Sequence, residues 1–161
     1  MRLSTTVRYG ARAITQVAAA HPDRPVTVRE IAEQQAVSAK YLEQILRALK
    51  AGGLIRAVRG NQGGYVLARP AASITLKDVY ECLEGSAAPV DCADCAELCA
   101  LHDVCPTRDT WVELKEAVEG VLERTSIEEL VRRKNQKARS AAAKTRREAG
   151  QNRPRRNRNG R

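Results

Sequence analysis

The chain has 161 residues and a formal net charge of +9, a length that suffices for one folded unit with an aliphatic core and an appendage. The charge is uneven. Residues 132–161 contain thirteen basic residues and one acidic residue, which leaves −3 for residues 1–131. The sequence lacks a bilayer-spanning apolar run and a signal peptide, so we expect a cytoplasmic location and no membrane contact. The absence of a Ser/His/Asp set, a phosphate loop and a dinucleotide fingerprint argues against an enzyme.

The first fifty residues have the pattern of three short helices. Residues 4–20 place apolar side chains on one stripe at helical spacing, and His21-Pro-Asp-Arg-Pro25 stops this helix. Thr27-Val-Arg-Glu30 has the spacing of a capping box, in which each side chain satisfies a free backbone N–H, and it starts a second helix. Ser38 can cap a third helix, which Gly52-Gly53 ends. Two short helices joined by a tight turn predict a helix-turn-helix.

A hairpin is predicted directly after the third helix. The β-prone runs Leu54–Val58 and Tyr65–Ala68 are separated by a glycine-rich turn. Helix, helix, helix and hairpin is the order of a winged helix. We therefore expect a mainly α fold with a small β-hairpin, in which residues 1–70 form a winged helix-turn-helix DNA-binding domain.

The start of the third helix is the part of a recognition helix that meets base edges in the major groove. Its candidate DNA-contacting residues are Ser38, Lys40, Tyr41, Glu43 and Gln44. Gln can pair with adenine, whereas Glu can accept from cytosine and repels phosphates. Glu43 is thus interpreted as a discriminating residue. The alternative is that Glu43 is a solvated charge and Tyr41 a core side chain.

The predicted wing is the second candidate DNA contact. Its residues expected to reach DNA are Arg59, Gly60, Gly63 and Gly64. Arg59 is the candidate for minor-groove insertion, because a narrow groove concentrates negative potential, and the glycines let the backbone approach closely. Arg2 and Arg8 are candidate phosphate contacts, and Arg56 is interpreted as an exposed side chain.

Residues 71–134 are predicted to hold a cysteine loop (residues 85–105) between helices. Thr75-Leu-Lys-Asp78 can cap a short helix through Leu83, and Cys82 falls on the apolar face of that helix as a buried core thiol. Pro106 suits the first turn of a long helix that ends near Arg124.

The long helix carries an apolar seam at three- and four-residue intervals. The seam residues are Trp111, Leu114, Val118, Val121 and Leu122. A single helix with such a seam needs a partner, so we expect a dimerisation helix. Thr125-Ser-Ile-Glu128 is expected to cap a last helix through about Lys134, and residues 135–161 are expected to form a disordered basic tail. The tail is either a solvated appendage or an electrostatic grip on DNA phosphates.

Four of the five cysteines fall within Cys92–Cys105. In a reducing compartment, cysteines this close together more often bind metal or act in redox chemistry than form disulfides. Soft thiolates suit an iron–sulfur cluster, and the Cys92-x-x-Cys95 pair also suits tetrahedral zinc, the less favoured cofactor. A metal-free thiol switch remains open. Four nearby carboxylates disfavour thiolates without a cation, so metal binding should order the loop.

Five segments resemble, in their order, the IscR/NsrR superfamily (Rrf-two type) of bacterial winged-helix regulators. They are Met1-Arg-Leu-Ser-Thr5, Tyr41-Leu-Glu-Gln44, Gly53-Leu-Ile55, Val58-Arg-Gly60 and Gly63-Gly-Tyr-Val-Leu67. The resemblance covers about residues 1–134. It implies a homodimeric repressor that binds a palindromic operator in double-stranded DNA. In many members of the family, an iron–sulfur cluster changes the affinity for DNA.

The resemblance maps the cluster ligands onto Cys92, Cys99 and Cys105. At the two positions where members of the family place a fourth ligand, this chain has Arg8 and Arg108. Cys95 is then the first candidate for the fourth ligand and His102 the weaker one. The cluster, [2Fe–2S] or [4Fe–4S], would sense iron, redox state or nitric oxide.

Two accounts of regulation follow from this resemblance. In the first, the ordered loop fixes the dimerisation helix, and that helix sets the spacing of the two recognition helices. In the second, a metal-free or zinc-bound member of the same fold is regulated by a partner protein, for example in cysteine metabolism.

Overall fold

The computed structural model describes residues 3–20, 24–60 and 62–151, with side chains as far as residue 145. Its helices and strands, in chain order, are α1 (Thr5–Ala19), α2 (Val28–Gln35), α3 (Ala39–Ala51), β1 (Ile55–Val58), β2 (Gly64–Leu67), α4 (Leu76–Glu84), α5 (Arg108–Arg124) and α6 (Ile127–Gln151). The chain divides into two compact units between Val131 and Arg132. Within the described ranges, no helix is long and apolar enough to cross a membrane.

Three predicted helix starts, those of α2, α3 and α4, are confirmed. Thr27 and Thr75 each form a complete capping box, with Glu30 and Asp78 as their partners at the start of α2 and α4. The Ser38 hydroxyl accepts a hydrogen bond from the backbone N–H of Tyr41, which caps α3. These short-range bonds satisfy backbone N–H groups that the first turn of a helix leaves free.

The α2–α3 turn and the hairpin complete a winged helix. Ala36 closes α2 in the left-handed conformation, with φ of 53°, and α3 begins three residues later. Strands β1 and β2 pair antiparallel, with Ile55 opposite Leu67 and Val58 opposite Gly64. The predicted winged helix-turn-helix and the mainly α fold are therefore confirmed.

One aliphatic core holds the winged helix together and extends past residue 70. Its fully buried side chains from α1 to α3 are Ile14, Ile31, Leu42, Ile45, Leu46 and Leu49. Ile74, Val79 and Ile127 belong to the same cluster, so α4 and the start of α6 pack on the DNA-binding module. Each such side chain contributes about 1.5–3 kcal/mol through burial.

The junction between α5 and α6 is tied to the start of α4 by backbone hydrogen bonds. Leu76 N–H donates to the Thr125 carbonyl at 2.8 Å, and Ile127 N–H donates to the Ile74 carbonyl at 2.8 Å. Because both bonds cross from one segment to the other, the C-terminal end of α5 has a fixed position on the core.

The structure corrects two predicted helix starts. Pro106 lies before α5, which begins at Arg108 with Thr107 as its N-cap residue. The capping hydroxyl of α6 belongs to Ser126, which accepts from Glu129 N–H at 3.1 Å. Thr125 instead donates its hydroxyl to the Val121 carbonyl at 2.9 Å, so it ends α5.

The predicted end of the last helix near Lys134 is wrong, because α6 continues to Gln151. Residues 135–151 are thus helical, and not disordered as expected. The physical reason is that Ala, Lys, Arg, Gln and Glu dominate this stretch, and these residues have high intrinsic helix propensity even without an apolar face. Residues 152–161 of the predicted tail lie outside the described residues.

Candidate DNA-contacting surface and cysteine segment

The solvent-exposed face of α3 carries the side chains that can read DNA. Lys40, Glu43 and Gln44 are exposed, as predicted for a recognition helix. Arg47, which the sequence analysis did not single out, is also exposed. It follows Gln44 by three residues and Lys40 by seven, so the four side chains share one helical face. That spacing was the available signal for Arg47.

Two residues predicted to contact DNA have structural contacts in this chain. The Tyr41 hydroxyl lies 3.3 and 3.2 Å from the hydroxyls of Thr5 and Thr6, and its ring packs edge-on against Tyr9 with 6.0 Å between centroids. Ser38 is occupied as the cap of α3. Tyr41 therefore positions α3 on α1, which agrees with the alternative that it is a packing residue.

The wing turn depends on glycine for its shape. Gly60 has φ of 119°, a conformation that L side chains rarely adopt, and its carbonyl accepts from Gly63 N–H at 2.9 Å. A Cβ on Gly64 would lie 2.6 Å from the Val26 carbonyl oxygen. The glycines thus build the turn that presents the exposed Arg59.

The other predicted arginines differ in their surroundings. Arg8 is exposed, with its guanidinium 5.3 Å from the centre of the Tyr9 ring, and Arg56 is exposed on β1. Arg2 lies outside the described residues. Exposure leaves the guanidinium of Arg8 accessible to a phosphate.

The cysteine segment, residues 85–105, is irregular apart from two short turns of 3-10 helix at Asp91–Ala93 and Ala96–Leu98. Its four cysteines are free thiols, each half-buried. Over the described ranges, the structure gathers no group of three or more His, Cys, Asp and Glu side chains around a common metal position. The predicted ligands thus share a segment but are not assembled into a coordination sphere.

The chemistry of the individual thiols nevertheless fits a soft metal centre. Cys105 precedes α5, and a hydrogen bond with the Thr107 hydroxyl, together with backbone N–H groups and the nearby Arg108, lowers the pKa of its thiol. A lowered pKa favours the thiolate, which is the form that binds metal. The Cys95 thiol donates to a Glu97 carboxylate oxygen at 2.8 Å.

Both ring nitrogens of His102 already have partners. Nδ1 lies 3.0 Å from the Cys99 carbonyl oxygen, and Nε2 lies 3.1 Å from a carboxylate oxygen of Asp103. Coordination by His102 would have to displace one of these contacts. Coordination by Cys95 would break the hydrogen bond from its thiol to Glu97. Cys92, Cys99 and Cys105, with Cys95 as the first candidate for the fourth ligand, stay a prediction, because the structure does not bring these side chains together.

An ion-pair chain connects the cysteine segment to the body of the protein. Lys115 on α5 lies 2.6 Å from Asp94 and 4.0 Å from Glu119, and Lys77 on α4 lies 3.4 Å from Glu119. The hydrogen bond from Lys115 lowers the pKa of Asp94. Sequence spacing indicates the i,i+4 pair of Lys115 and Glu119, but no local signal pairs Asp94 with Lys115.

The predicted apolar seam of α5 is largely exposed in the single chain. Trp111, Leu114 and Val121 are 36%, 39% and 56% exposed, and Val118 is half-buried. Leu122 is only 8% exposed, so it packs within its own chain and is not available to a partner. The accessible part of the seam is therefore Trp111, Leu114, Val118 and Val121.

Cys82 lies apart from the cysteine segment, on α4. Its thiol donates to the Ala48 carbonyl of α3 at 3.2 Å, and burial raises its pKa. It packs against the core, as predicted, but its side chain is only partly buried.

The fold and the exposed face of α3 define a winged-helix DNA-binding protein with a cysteine-rich segment beside its module. Residues 3–133 match the Rrf2 family, described as iron-dependent transcriptional regulators, and the chain belongs to this family. It is accordingly a transcriptional regulator that binds DNA, and not an enzyme.

Similar proteins agree with this assignment. The chain is 37% identical over 132 residues to Protein rrf2 of Nitratidesulfovibrio vulgaris, which covers 82% of this chain and 88% of that protein. The structure of CymR, the global cysteine regulator of B. subtilis, is 34% identical and covers 81% of this chain and 96% of its own, with a TM-score of 0.70. The structure of T. potens IscR is 32% identical in sequence, and the match covers 82% of this chain and 87% of that one, with a TM-score of 0.69.

Proposed function

We propose that this chain acts as a homodimeric repressor whose affinity for a palindromic operator is set by an iron–sulfur cluster bound in the cysteine segment. The observation that carries the proposal is the position of Cys92, Cys95, Cys99 and Cys105 directly before α5. The family description as iron-dependent supports it.

The chain's own residues provide the binding site and the link to the module. Cys92, Cys99 and Cys105, with Cys95 as the fourth candidate, would hold the cluster through thiolates. When bound, a cluster supplies a centre that responds to oxidants, nitric oxide and iron supply. Asp94 lies between two of these cysteines and pairs with Lys115, so the order of the segment is transmitted to α5.

A second copy of this chain is the partner proposed for α5. Eight large apolar side chains are exposed within the described ranges, and seven of them lie between residues 90 and 121. Their concentration in one stretch of sequence, from the cysteine segment into α5, supports one interface. In a dimer, this interface would fix the distance between the two recognition helices, as two operator half-sites require.

Metal content and DNA affinity test the proposal together. Protein purified without oxygen is expected to be brown and to contain iron and sulfide, and Cys99→Ala is expected to lose both. Cys82→Ala is the matched control, because Cys82 lies on α4 outside the segment, and it should retain the cluster. The operator is selected from a random duplex pool. A colourless protein without iron, or equal operator affinity for the loaded protein and Cys99→Ala, would contradict cluster control.

Similarity to CymR favours a second candidate function. That structure is described as a global cysteine regulator, so the alternative is a metal-free or zinc-bound regulator that responds to a partner protein in cysteine metabolism. The same purification separates the two, since this alternative requires operator binding by protein that contains zinc or no metal.

A further inference from the structure

We infer that the basic arm, defined as residues 132–145 of α6, is a second DNA-contacting surface that binds duplex phosphates irrespective of base sequence. The inference rests on the proposed DNA-binding function and extends it. The family match ends at residue 133, so the family assignment gives this surface no role.

Charge is the first argument for DNA as the partner. The basic arm contains six basic residues and no acidic residue, whereas residues 1–131 carry a net charge of −3. Duplex DNA carries about one negative charge per 1.7 Å of its axis. The first 131 residues are net negative, so the net positive charge that attracts such a polymer lies in residues 132–161.

The helical conformation organises this charge into a stripe. At 100° per residue, Arg133, Lys137 and Lys144 fall on one face, and each is exposed. They span about 16 Å along the helix at 1.5 Å per residue, a distance over which one DNA strand presents about five phosphates. The stripe is therefore long enough to contact several phosphates at once.

The opposite side of the helix argues against other partners. It presents Asn135, Ala138, Arg139 and Ala142, and the basic arm contains no large apolar side chain. A helix that lies on a membrane needs bulky apolar residues opposite its basic face, and a protein-binding helix needs apolar anchors. Phosphate contacts require neither.

The experiment compares two full-length variants with equal loss of charge. The stripe variant carries Arg133→Gln, Lys137→Gln and Lys144→Gln, and the control carries Arg132→Gln, Lys134→Gln and Arg139→Gln. Affinity for the selected operator and for a scrambled duplex is measured by fluorescence anisotropy between 50 and 200 mM salt, chosen as roughly the range where phosphate contacts dominate. Circular dichroism verifies that both variants keep their helix content.

The stripe variant is expected to weaken binding to both duplexes by the same factor. Its slope of log K against log salt should fall by about 0.9 per lost phosphate contact, or up to about 2.7 per chain, and the control should change less. An unchanged slope, or equal changes in both variants, would overturn the inference. It would also be overturned if the stripe substitutions weakened binding to lipid vesicles but not binding to DNA. If the unsubstituted protein shows no operator preference, the proposed function fails instead.

Discussion

At the scale of single residues, the exposed face of α3 carries side chains suited to reading bases and others suited to contacting phosphates. Gln44 can form two hydrogen bonds with adenine, and Glu43 disfavours phosphates and guanine acceptors. Arg47, three residues beyond Gln44, can contact either a guanine or a phosphate. The Tyr41 hydroxyl contacts Thr5 and Thr6 of α1, which supports a role in packing α3 on α1, and its predicted DNA contact stays a prediction.

Replacing Gln44 by Ala is expected to reduce affinity for the selected operator while affinity for a scrambled duplex changes little. The expected loss is about 1–3 kcal/mol, because one paired base contact disappears. Gln34→Ala is the matched control, since Gln34 is exposed on α2. Anisotropy titrations with both duplexes measure the effect, and equal losses on the two duplexes would refute base recognition by Gln44.

The capping box of α2 predicts a pH effect on stability. Hydrogen bonds from the Thr27 backbone and hydroxyl, with support from Arg24, lower the pKa of Glu30 below its ordinary value of 4.5. The stabilisation is therefore complete above pH 4.5 and is lost as pH falls through the lowered pKa. Urea unfolding of the wild type and Glu30→Gln should give a free-energy difference that shrinks below pH 4.5. A difference independent of pH would show that the charge has no such role.

At the scale of elements, helix starts could be predicted from sequence because their signals are local. Thr27, Ser38 and Thr75 each cap the helix that directly follows. The predicted end of α6 near Lys134 was wrong, because a stretch without apolar residues can still have high helix propensity. Leu122 fits the seam by spacing, but only tertiary packing reveals that its own chain buries it.

The exposed seam of α5 predicts that dimer formation depends on particular side chains. Leu114→Gln with Val121→Gln is expected to weaken association at least tenfold, because each buried apolar side chain contributes about 1.5–3 kcal/mol. Glu116→Gln with Glu123→Gln changes two exposed residues of the same helix and serves as control. Sedimentation equilibrium measures both variants. A dimer constant unaffected by the seam substitutions would place the interface elsewhere.

At the scale of the whole molecule, one core connects the DNA-binding module with the elements that flank the cysteine segment. Val79 of α4 and Ile127 of α6 are fully buried with Leu42 and Leu46 of α3. These elements are joined to the module by packed side chains and not by a flexible linker, so a displacement of α5 would affect the module. The type and spacing of the cysteines favour metal binding and the family resemblance supplies the ligand candidates, which stay a prediction. The Asp94–Lys115 contact joins distant residues and has no local signal.

This contact predicts that the proposed coupling between a bound cluster and DNA affinity can be reduced without loss of the cluster. Lys115→Gln removes the ion pair with Asp94 and the longer contact with Glu119. The ratio of operator affinities for loaded and empty protein should therefore fall by about two- to fivefold, as expected for an exposed ion pair. Iron content should stay unchanged, because Lys115 is not a ligand candidate. Glu113→Gln, at an exposed position of α5, controls for the loss of one charge.

A charge swap distinguishes coupling through this pair from a general effect on α5. All variants carry Glu119→Gln, which removes the second carboxylate partner of Lys115. In this background, Asp94→Lys combined with Lys115→Asp restores opposite charges across the same contact, so the affinity ratio should recover towards that of Glu119→Gln alone. Failure of the swap to recover the ratio, at wild-type iron content, would mean that the segment acts on the module by another route. Recovery would assign the coupling to one contact between the cysteine segment and α5, since all other residues of the two elements are unchanged.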